Sequence, residues 1–405
     1  MRRRDFLSSV SAGIAVRGIC ADESRQQPVR VAVIGHTGRG NYGHGLDTMW
    51  QDINGVKIVA VADADPTGLQ AAVARLPGAT GFADYRRMLE QVTPEIVAVA
   101  PRHIDQHHAM MQAAIQHGAR GIYVEKPFVR TPAEADNIRN LCEEHGTRIA
   151  VAHRNRWHPV LPVIRKLLED GAIGHLLEAR GRGKEDTRGG SQDLWVLGTH
   201  VINLAEYLLG DLISVSARIF TDQQPASLEQ LADGPEGLGP LPGDELHARF
   251  ETSGGPPFFF DSIRNARLRT AAVSHPASFG LQLIGTAGII DLRVDREPLA
   301  AILPGSPFDP DFSAPRQWIP VSSNGIGAPE THPHAGQPLA LHHVSGTDLL
   351  NSLTENRPPL CDVHQGCSTV EAVCGVFESH RRGGLSTPLP LENRQHPLQI
   401  ASRTE

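Results

Sequence analysis

Aromatic side chains and long apolar segments are both scarce in this sequence. Phe, Trp and Tyr together make up 5% of its 405 residues. It has no run of about 18 uncharged apolar residues, the length that a membrane-spanning helix needs, so we expect no membrane span. The apolar fraction of 40% is typical of a globular protein. The length exceeds that of one ordinary core, so two domains are expected.

Cysteine is also scarce, and its spacing excludes the common zinc and redox motifs. Cys361, Cys367 and Cys374 are separated by five and six residues, whereas a C-x-x-C motif has two between its cysteines. We expect these side chains to be buried as small apolar groups. A disulfide between Cys361 and Cys367 remains an alternative if the protein is exported.

Histidines near the carboxyl end form no recognisable metal-binding pattern. Two of them are adjacent, and neighbouring positions of a regular helix cannot face one ion. No carboxylate cluster nearby completes a site. We therefore predict no metal at the stretch that contains His332, His334, His342 and His343.

The sequence also has no excess of positive charge. The formal net charge is −7, and it becomes −10 if residues 1–21 are removed. A chain this acidic is a poor nucleic-acid binder.

The amino terminus resembles a twin-arginine export signal. Three consecutive arginines precede Phe6-Leu7, and a short, weakly apolar stretch rich in Ser, Ala and Gly extends to Ala21. We expect residues 1–21 to direct export to the periplasm. The alternative is a basic tail on a cytoplasmic protein.

Apolar periodicity predicts an α/β protein in two parts. In residues 28–152, short β-branched runs alternate with helical stretches, which is typical of a doubly wound parallel sheet of the Rossmann type. Residues 153–405 predict an α+β domain with an open, mainly antiparallel sheet, because several strands alternate apolar and polar positions. The strands predicted for the first part are Val29–Ile34, Val56–Ala62, Ile96–Val99, Gly121–Val124 and Arg148–Val151.

Two segments rich in Pro and Gly interrupt the second part. Thr221–Gly243 and Leu303–Pro338 are too long for simple connections. Lids, oligomer contacts and plain surface loops are all open interpretations.

The first strand leads into a glycine-rich turn, Gly35-His36-Thr37-Gly38-Arg39-Gly40, and a helix is predicted directly after it. Glycines allow the backbone to turn sharply and approach a pyrophosphate, whose charge helix amides would stabilise. Thr37 stands where the second glycine of the usual pattern lies.

An acid follows the second strand at the position that contacts the adenosine ribose in dinucleotide-binding folds. Asp63 lies 23 residues beyond Gly40 and is expected to accept hydrogen bonds from the adenosine ribose. No arginine follows immediately to receive a 2′-phosphate. The sequence therefore favours NAD over NADP.

With Glu125-Lys126-Pro127 placed after the fifth strand, the chain resembles the Gfo/Idh/MocA family of oxidoreductases. The motifs that carry the resemblance are Gly35–Gly40, Asp63, Pro101 with His107, Glu125-Lys126-Pro127, Arg156-Trp157-His158-Pro159, Gly198-Thr199-His200, Gly285-Thr286-Ala287-Gly288 and Arg357-Pro358-Pro359.

The resemblance implies an NAD-dependent enzyme that binds a sugar or polyol between its two domains and forms a homo-oligomer through the open sheet. It implies that Lys126 lies beside the nicotinamide and that His200 handles the proton. The cofactor contacts that it implies are Pro101, His107, Glu125, Lys126, Pro127, Arg156 and Trp157.

The residue types also suit the chemistry. Oxidation of a carbinol carbon releases the hydroxyl proton, so a base with a pKa near neutrality must lie close, as His200 could. A lysine beside a positive nicotinamide has a lowered pKa and can polarise the oxygen or relay a proton, as Lys126 could.

Two carboxylates that the family often carries are replaced. Val196 stands four residues before His200 where Asp is usual, and Asn203 stands where a second Asp is frequent. We predict Asp193 as the catalytic acid instead, with Glu185 and Asp186 as alternatives.

Two functions are therefore compatible with the sequence. The first is an oxidoreductase acting on a CH–OH group of a sugar, polyol or glycoside. The second is a redox-neutral, NAD-dependent glycoside hydrolase or lyase that keeps its cofactor, which the export signal and the altered carboxylates favour. A non-enzymatic sugar sensor is disfavoured because Lys126 and His200 are both present.

Overall fold

The computed structural model describes residues 27–229, 231–264, 279–309, 315–333, 335 and 338–401. The predicted export segment 1–21 and His334 lie outside the described residues.

A parallel sheet of six strands forms the amino-terminal part, in the order β3-β2-β1-β4-β5-β6. The five predicted strands are confirmed. The sixth, β3, was missed because it has three residues, one of them glycine, and shows no periodicity. The strands are β1 Val29–Ile34, β2 Val56–Ala62, β3 Thr80–Phe82, β4 Ile96–Val99, β5 Gly121–Val124 and β6 Arg148–Val151, and the helices are α1 Pro66–Arg75, α2 Tyr85–Val92, α3 His107–Gln116 and α4 Pro132–His145.

The helix predicted directly after Gly40 is wrong. Residues 42–48 form consecutive turns, and only a short 3-10 helix, Met49–Asp52, precedes β2. The physical reason is a run of left-handed backbone angles, with φ of 93° at Gly40, 61° at Gly43 and 89° at Gly45. A right-handed helix cannot pass through such residues.

A second sheet of eleven strands confirms the predicted open and mainly antiparallel architecture. Among the strands that the structure describes, only β7 and β13 pair in parallel within it. A separate hairpin, β10–β11, projects from the segment between β9 and β12. The strands are β7 Leu176–Arg182, β8 Leu212–Thr221, β9 Gln224–Pro225, β10 Ala232–Gly234, β11 Gly239–Leu241, β12 Glu245–Thr252, β13 Phe258–Ile263, β14 Gly280–Gly285, β15 Gly288–Arg293, β16 Ala300–Pro304, β17 Ile319–Ser322, β18 Gly325–Ile326 and β19 Thr387–Pro388.

One face of this sheet is buried under helices. Along β12, Leu246, Ala248 and Phe250 are buried and alternate with more exposed residues. Phe250 stacks on Phe258 of β13, with ring centroids 5.4 Å apart. The alternation seen in the sequence therefore marks the core face, as the pleat of a strand requires.

The helix that covers the sheet changes its winding in the middle. It begins as α6, Gly190–Asp193, continues as a π-helical segment, Leu194–Gly198, and ends as α7, Thr199–Leu209. The helix α5, Val160–Glu169, precedes β7. A single π turn inside a helix is frequent at functional sites, and here it immediately precedes His200.

The last helices return to the amino-terminal sheet. Helix α8, Pro338–Glu355, packs against β5 and β6, whereas α9, Val363–Arg381, packs against α4, β6 and β8 and so contacts both sheets. A short helix α10, Pro397–Ala401, follows. Within the described residues no helix has the length and apolar character to cross a membrane.

The cysteines of the described chain are buried free thiols, as expected. Cys361 and Cys367 are not joined, so the alternative of a disulfide between them is wrong. Burial raises the pKa of the Cys367 thiol to about 12, which keeps it protonated and unreactive.

A buried hydroxyl joins α8 to the parallel sheet. The Tyr123 Oη lies 2.7 Å from His342 Nδ1 and 2.7 Å from Ser345 Oγ, and all three side chains are buried.

Replacing Tyr123 with Phe should lower the free energy of unfolding by about 1–3 kcal/mol, because His342 Nδ1 would lose its partner inside the core. Urea unfolding at pH 7 measures the change. Tyr207→Phe is the control, because it keeps the ring that stacks on Arg156. Equal losses in the two variants would contradict this role of the hydroxyl.

Candidate active site

A cavity of about 250 Å³ lies between the two sheets at the carboxyl ends of the parallel strands. Ligands of open parallel sheets bind at this edge. Its walls come from both halves of the chain and include Glu125, Lys126 and His200, which the sequence predicted.

The Lys126 ammonium group is buried and bridges the two halves. Its Nζ donates a hydrogen bond of 2.9 Å to the backbone carbonyl of Val196, in the π-helical segment. Burial lowers the pKa of Lys126, while the charges of Glu125 and Glu236 oppose that shift. Position 196 therefore contributes a main-chain oxygen where the family often has a carboxylate.

Glu125 holds the loop that carries this lysine. Its Oε1 accepts a hydrogen bond of 3.0 Å from the Lys126 amide, and its Oε2 lies 3.4 Å from His44 Nδ1. Burial would raise the pKa of Glu125, but the His44 hydrogen bond and the Lys126 charge lower it to about 2. The carboxylate is therefore ionised at neutral pH, and it needs Gly43 beside it, since a Cβ there would lie 2.6 Å from Oε2.

His200 faces the cavity from the start of α7 with an incomplete set of partners. Its Nδ1 is buried without a hydrogen bond in the described chain. Its ring meets that of His153 edge to face, with centroids 5.3 Å apart. Burial and the Lys126 charge lower the pKa of His200 well below its usual value, so the imidazole is neutral at pH 7.

The structure does not bring the Asp193 carboxylate to His200. It accepts hydrogen bonds from Ser262 Oγ at 2.7 Å and from the amides of Glu185 and Lys184 at 3.1 and 3.2 Å. These contacts join the helix to the loop after β7. The geometry indicates a positioning role, and the catalytic role of Asp193 stays a prediction.

Charged side chains on the second-domain wall are arranged in neutralising groups. Asp295 binds both Arg154, at 2.8 Å, and Lys184, at 2.9 Å. Asp186 binds Arg188 through the Nε atom at 2.9 Å. The wall therefore offers hydrogen-bond donors and acceptors side by side. Of the two alternatives to Asp193, Asp186 is thus paired with Arg188, and Glu185 is paired with Arg182.

The glycine-rich turn lies at the same edge of the parallel sheet. It is tied to the loop after β4 by an ion pair of 2.6 Å between Arg39 and Asp105, and His36 contacts Gln106. Gly40 fits closely there, because a Cβ would lie 2.2 Å from the Arg102 amide nitrogen.

Asp63 is buried beneath this turn rather than open to a ligand. Its two oxygens accept hydrogen bonds from the Thr37 amide, the Thr37 hydroxyl at 2.7 Å, the Tyr42 hydroxyl at 2.7 Å and the Asp65 amide. A carboxylate has about four acceptor sites, so these donors fill it. In this arrangement no acceptor site of Asp63 is left for the hydrogen bond expected from the ribose. Asp65 caps α1 through the Gly68 amide, at 2.6 Å.

The residues of this edge fit the pyrophosphate and nicotinamide portions of NAD. A Cβ on Gly38 would meet nothing within 4 Å, so open space adjoins the turn. Within the described chain, the Arg102 Nε is buried and lacks a hydrogen-bond partner. A cation and open backbone at this edge suit a pyrophosphate. The fit is incomplete at Asp63, whose oxygens are occupied by hydrogen bonds from the protein.

Several predicted cofactor residues support the site from behind. The ring nitrogens of buried His107 lie 2.9 Å from the Pro127 carbonyl oxygen and 2.6 Å from that of Pro101, so this side chain fixes two loops of the cavity. Arg156 stacks on Tyr207 at 3.6 Å. Trp157 Nε1 donates to Asp348 at 3.0 Å. The structure does not place His107, Arg156 or Trp157 among the cavity walls.

Sequence reasoning missed several wall residues. His342 lies on helix α8 and the others lie on separate turns and loops without a motif, so only the ionisable side chain that all but Phe279 carry could have drawn attention to them. They are His44, Arg102, Glu236, Phe279, Asp295 and His342. No three His, Cys, Asp or Glu side chains among the described residues are arranged to hold a metal ion.

Residues 29–153 match the model of the Gfo/Idh/MocA oxidoreductase family, described as an NAD-binding Rossmann fold. The chain is 31% identical to D-apiose dehydrogenase of Paraburkholderia graminis over 178 residues, which are 42% of this chain and 47% of that protein. It is 25% identical to levoglucosan dehydrogenase of Pseudarthrobacter phenanthrenivorans over 263 residues, 58% of this chain and 65% of that protein. The matched regions thus span less than two thirds of either relative.

The whole fold is similar to a solved structure. Levoglucosan dehydrogenase in complex with NADH and L-sorbose superposes with a TM-score of 0.69 and 20% identity, covering 90% of this chain and 100% of that one. The likeness concerns the fold of both halves of the chain.

Replacing Asp193 with Asn should change how the free energy of unfolding depends on pH, because it removes a buried carboxyl group. Burial raises the pKa of Asp193 from 3.8 to about 6. The folded state therefore holds the proton more tightly than the unfolded state. The wild type should lose stability relative to the variant as the pH rises from about 4 to above 6, by up to about 3 kcal/mol.

Unfolding by urea across this pH range measures the difference. Asp186→Asn is the control with the opposite sign, because the Arg188 hydrogen bonds outweigh burial and lower the pKa of Asp186. A wild-type curve parallel to that of Asp193→Asn would show that the carboxyl group is not perturbed.

Proposed function

We propose that the protein is an NAD-dependent oxidoreductase that acts on a CH–OH group of a sugar, polyol or glycoside. The observation that carries the proposal is the meeting of buried Lys126 and neutral His200 in one cavity, at the edge where a Rossmann sheet binds its dinucleotide. The family match of residues 29–153 supports the cofactor class.

NAD, when bound, supplies the hydride acceptor. The open backbone at Gly38 and the Arg39 and Arg102 side chains would hold its pyrophosphate, and the Lys126 loop would adjoin the nicotinamide. We favour NAD over NADP because two carboxylates, Asp63 and Asp65, follow β2 and would repel a 2′-phosphate.

His200 and Lys126 divide the proton chemistry. A neutral imidazole keeps a lone pair on one ring nitrogen, so His200 can accept the proton of the substrate hydroxyl. The Lys126 ammonium donates a hydrogen bond to the same oxygen and stabilises its negative charge as the proton leaves. Its bond to the Val196 carbonyl fixes the Nζ atom in the cavity.

The walls suit a polyhydroxyl substrate. Each sugar hydroxyl both donates and accepts a hydrogen bond, and the group of Arg154, Lys184 and Asp295 offers both kinds of partner within one neutralised cluster. The chain is similar to D-apiose dehydrogenase and levoglucosan dehydrogenase, and the names of these relatives support a carbohydrate substrate.

Lys126→Met should reduce NAD reduction by at least about 100-fold, since it removes the donor without adding polarity. Absorbance of NADH with a panel of sugars and polyols measures the rate. Lys166→Met is the matched control, because Lys166 is exposed and, among the described residues, forms an ion pair with Asp170, which directly follows its helix. A wild-type rate in Lys126→Met would refute the proposal.

A redox-neutral glycoside hydrolase or lyase is the second candidate. The tip of the β10–β11 hairpin lies on the loop after β4, where a Cβ on Gly237 would meet Asp105 Oδ1 at 2.3 Å. A cover at this place favours a cofactor that stays bound through many turnovers.

Denaturing the purified protein and identifying the released nucleotide by mass spectrometry tests cofactor retention, and NAD is the expected product. Incubation with aryl glycosides then separates the candidates. Release of the aglycone without NADH supports the hydrolase or lyase, whereas accumulating NADH supports the dehydrogenase. Protein that releases no nucleotide would oppose retention.

Export by residues 1–21 and assembly into a homo-oligomer through the second sheet complete the proposal. Cell fractionation of the full chain tests the first, with the periplasm as the expected compartment. Light scattering of the purified protein tests the second, and a monomeric mass would oppose it.

A further inference from the structure

The segment Thr221–Gly243 carries a single acid into the cavity. Glu236 lies at the tip of the β10–β11 hairpin and forms part of the cavity wall together with Lys126 and His200. The rest of the hairpin belongs to the second domain, so this residue reaches the site from a distant part of the sequence.

The hairpin is anchored at both ends. At its base, Ser191 Oγ donates a hydrogen bond to the Pro242 carbonyl, which ties the hairpin to the helix that carries His200. At its tip, Leu238 is buried, and Gly237 contacts Asp105 without room for a Cβ. These contacts fix where the Glu236 backbone lies.

The backbone of Glu236 is strained in a way that orients its side chain. Its φ and ψ are 59° and 22°, in the left-handed region that a non-glycine residue adopts at a cost. Glycine or asparagine would relieve the strain, and a glycine indeed follows at position 237. Glutamate at this point therefore indicates a use for the carboxylate.

The surroundings of Glu236 are cationic. Its charge raises the pKa of Lys126 and opposes the lowering of the pKa of His103. It also acts on Arg188. The loop after β4 adds Arg102 and Asp105 at the same face. Within the described residues no hydrogen bond or ion pair occupies the Glu236 carboxylate, so its oxygens can accept from a ligand.

We propose that Glu236 is the substrate-binding carboxylate of this site and accepts a hydrogen bond from a hydroxyl group next to the one that reacts. The inference rests on the proposed function. It narrows the substrate class to compounds with adjacent hydroxyl groups, because one hydroxyl reacts and its neighbour donates to the Glu236 carboxylate. The charge of Glu125, and after it that of Glu236, also opposes the lowering of the Lys126 pKa by burial.

Glu236→Gln keeps the shape and removes the charge, and Asp233→Asn on the exposed strand of the same hairpin is the control. With a vicinal diol substrate, kcat/KM should fall at least tenfold in Glu236→Gln and remain within twofold in Asp233→Asn. With a substrate that lacks the second hydroxyl, the fall in Glu236→Gln should be at least threefold smaller than with the vicinal diol, because only the indirect effect through Lys126 then remains.

A second measurement needs neither cofactor nor substrate. In protein with 13C-labelled lysine, the Lys126 Cε resonance, assigned with Lys126→Met, should titrate at lower pH in Glu236→Gln, because the carboxylate stabilises the ammonium form. If Glu236→Gln does not fold, Glu236→Asp replaces it, with a smaller shift in the same direction.

An unchanged Lys126 midpoint overturns the inference, and so does an active wild type whose kcat/KM falls less than threefold in Glu236→Gln. A wild type without any NAD-dependent oxidation would instead refute the proposed function. The Lys126 titration would then still decide whether Glu236 faces the lysine.

Discussion

A buried ammonium group needs an acceptor, and the rest of the site follows from how Lys126 finds one. Its partner is the Val196 carbonyl in the π-helical segment, 2.9 Å away. This bond joins the parallel sheet to the helix of the second domain. The same bond fixes the loop that carries Glu125 against the helix that carries His200. Both side chains are therefore held near the lysine. A main-chain oxygen carries no charge, so it leaves the lysine pKa open to adjustment by neighbouring carboxylates.

Most of the regular structure could be predicted from the sequence because local patterns determine it. The five longer strands of the first sheet are β-branched runs, and α7 ends where Leu209 meets Gly210. The π segment before α7 could not be predicted, since it depends on packing against the sheet below. The helix expected after Gly40 was wrong because its glycines were interpreted as a cofactor turn alone, whereas they set left-handed angles.

Residues of the candidate site were predictable only where a sequence motif within one stretch of chain marks them. Lys126 and His200 lie in motifs, and the structure brings them together. Asp63 was correctly placed after β2, but Thr37 and Tyr42 take up its oxygens, and no sequence spacing shows such saturation. Glu236 is more than one hundred residues from Lys126 in the sequence. Its place in the cavity depends on a hairpin that folds back across the boundary between the two halves.

Helix α9 contacts α4 and β6 of the first sheet and β8 of the second. Without α9, an apolar surface of each sheet would therefore be exposed. A chain cut after β18, before α8 and α9, would expose the apolar faces of β5 and β6. A hinge-like separation of the sheets would break the contacts of this shared helix with one of them, so we expect ligands to enter through movement of surface loops rather than of whole domains.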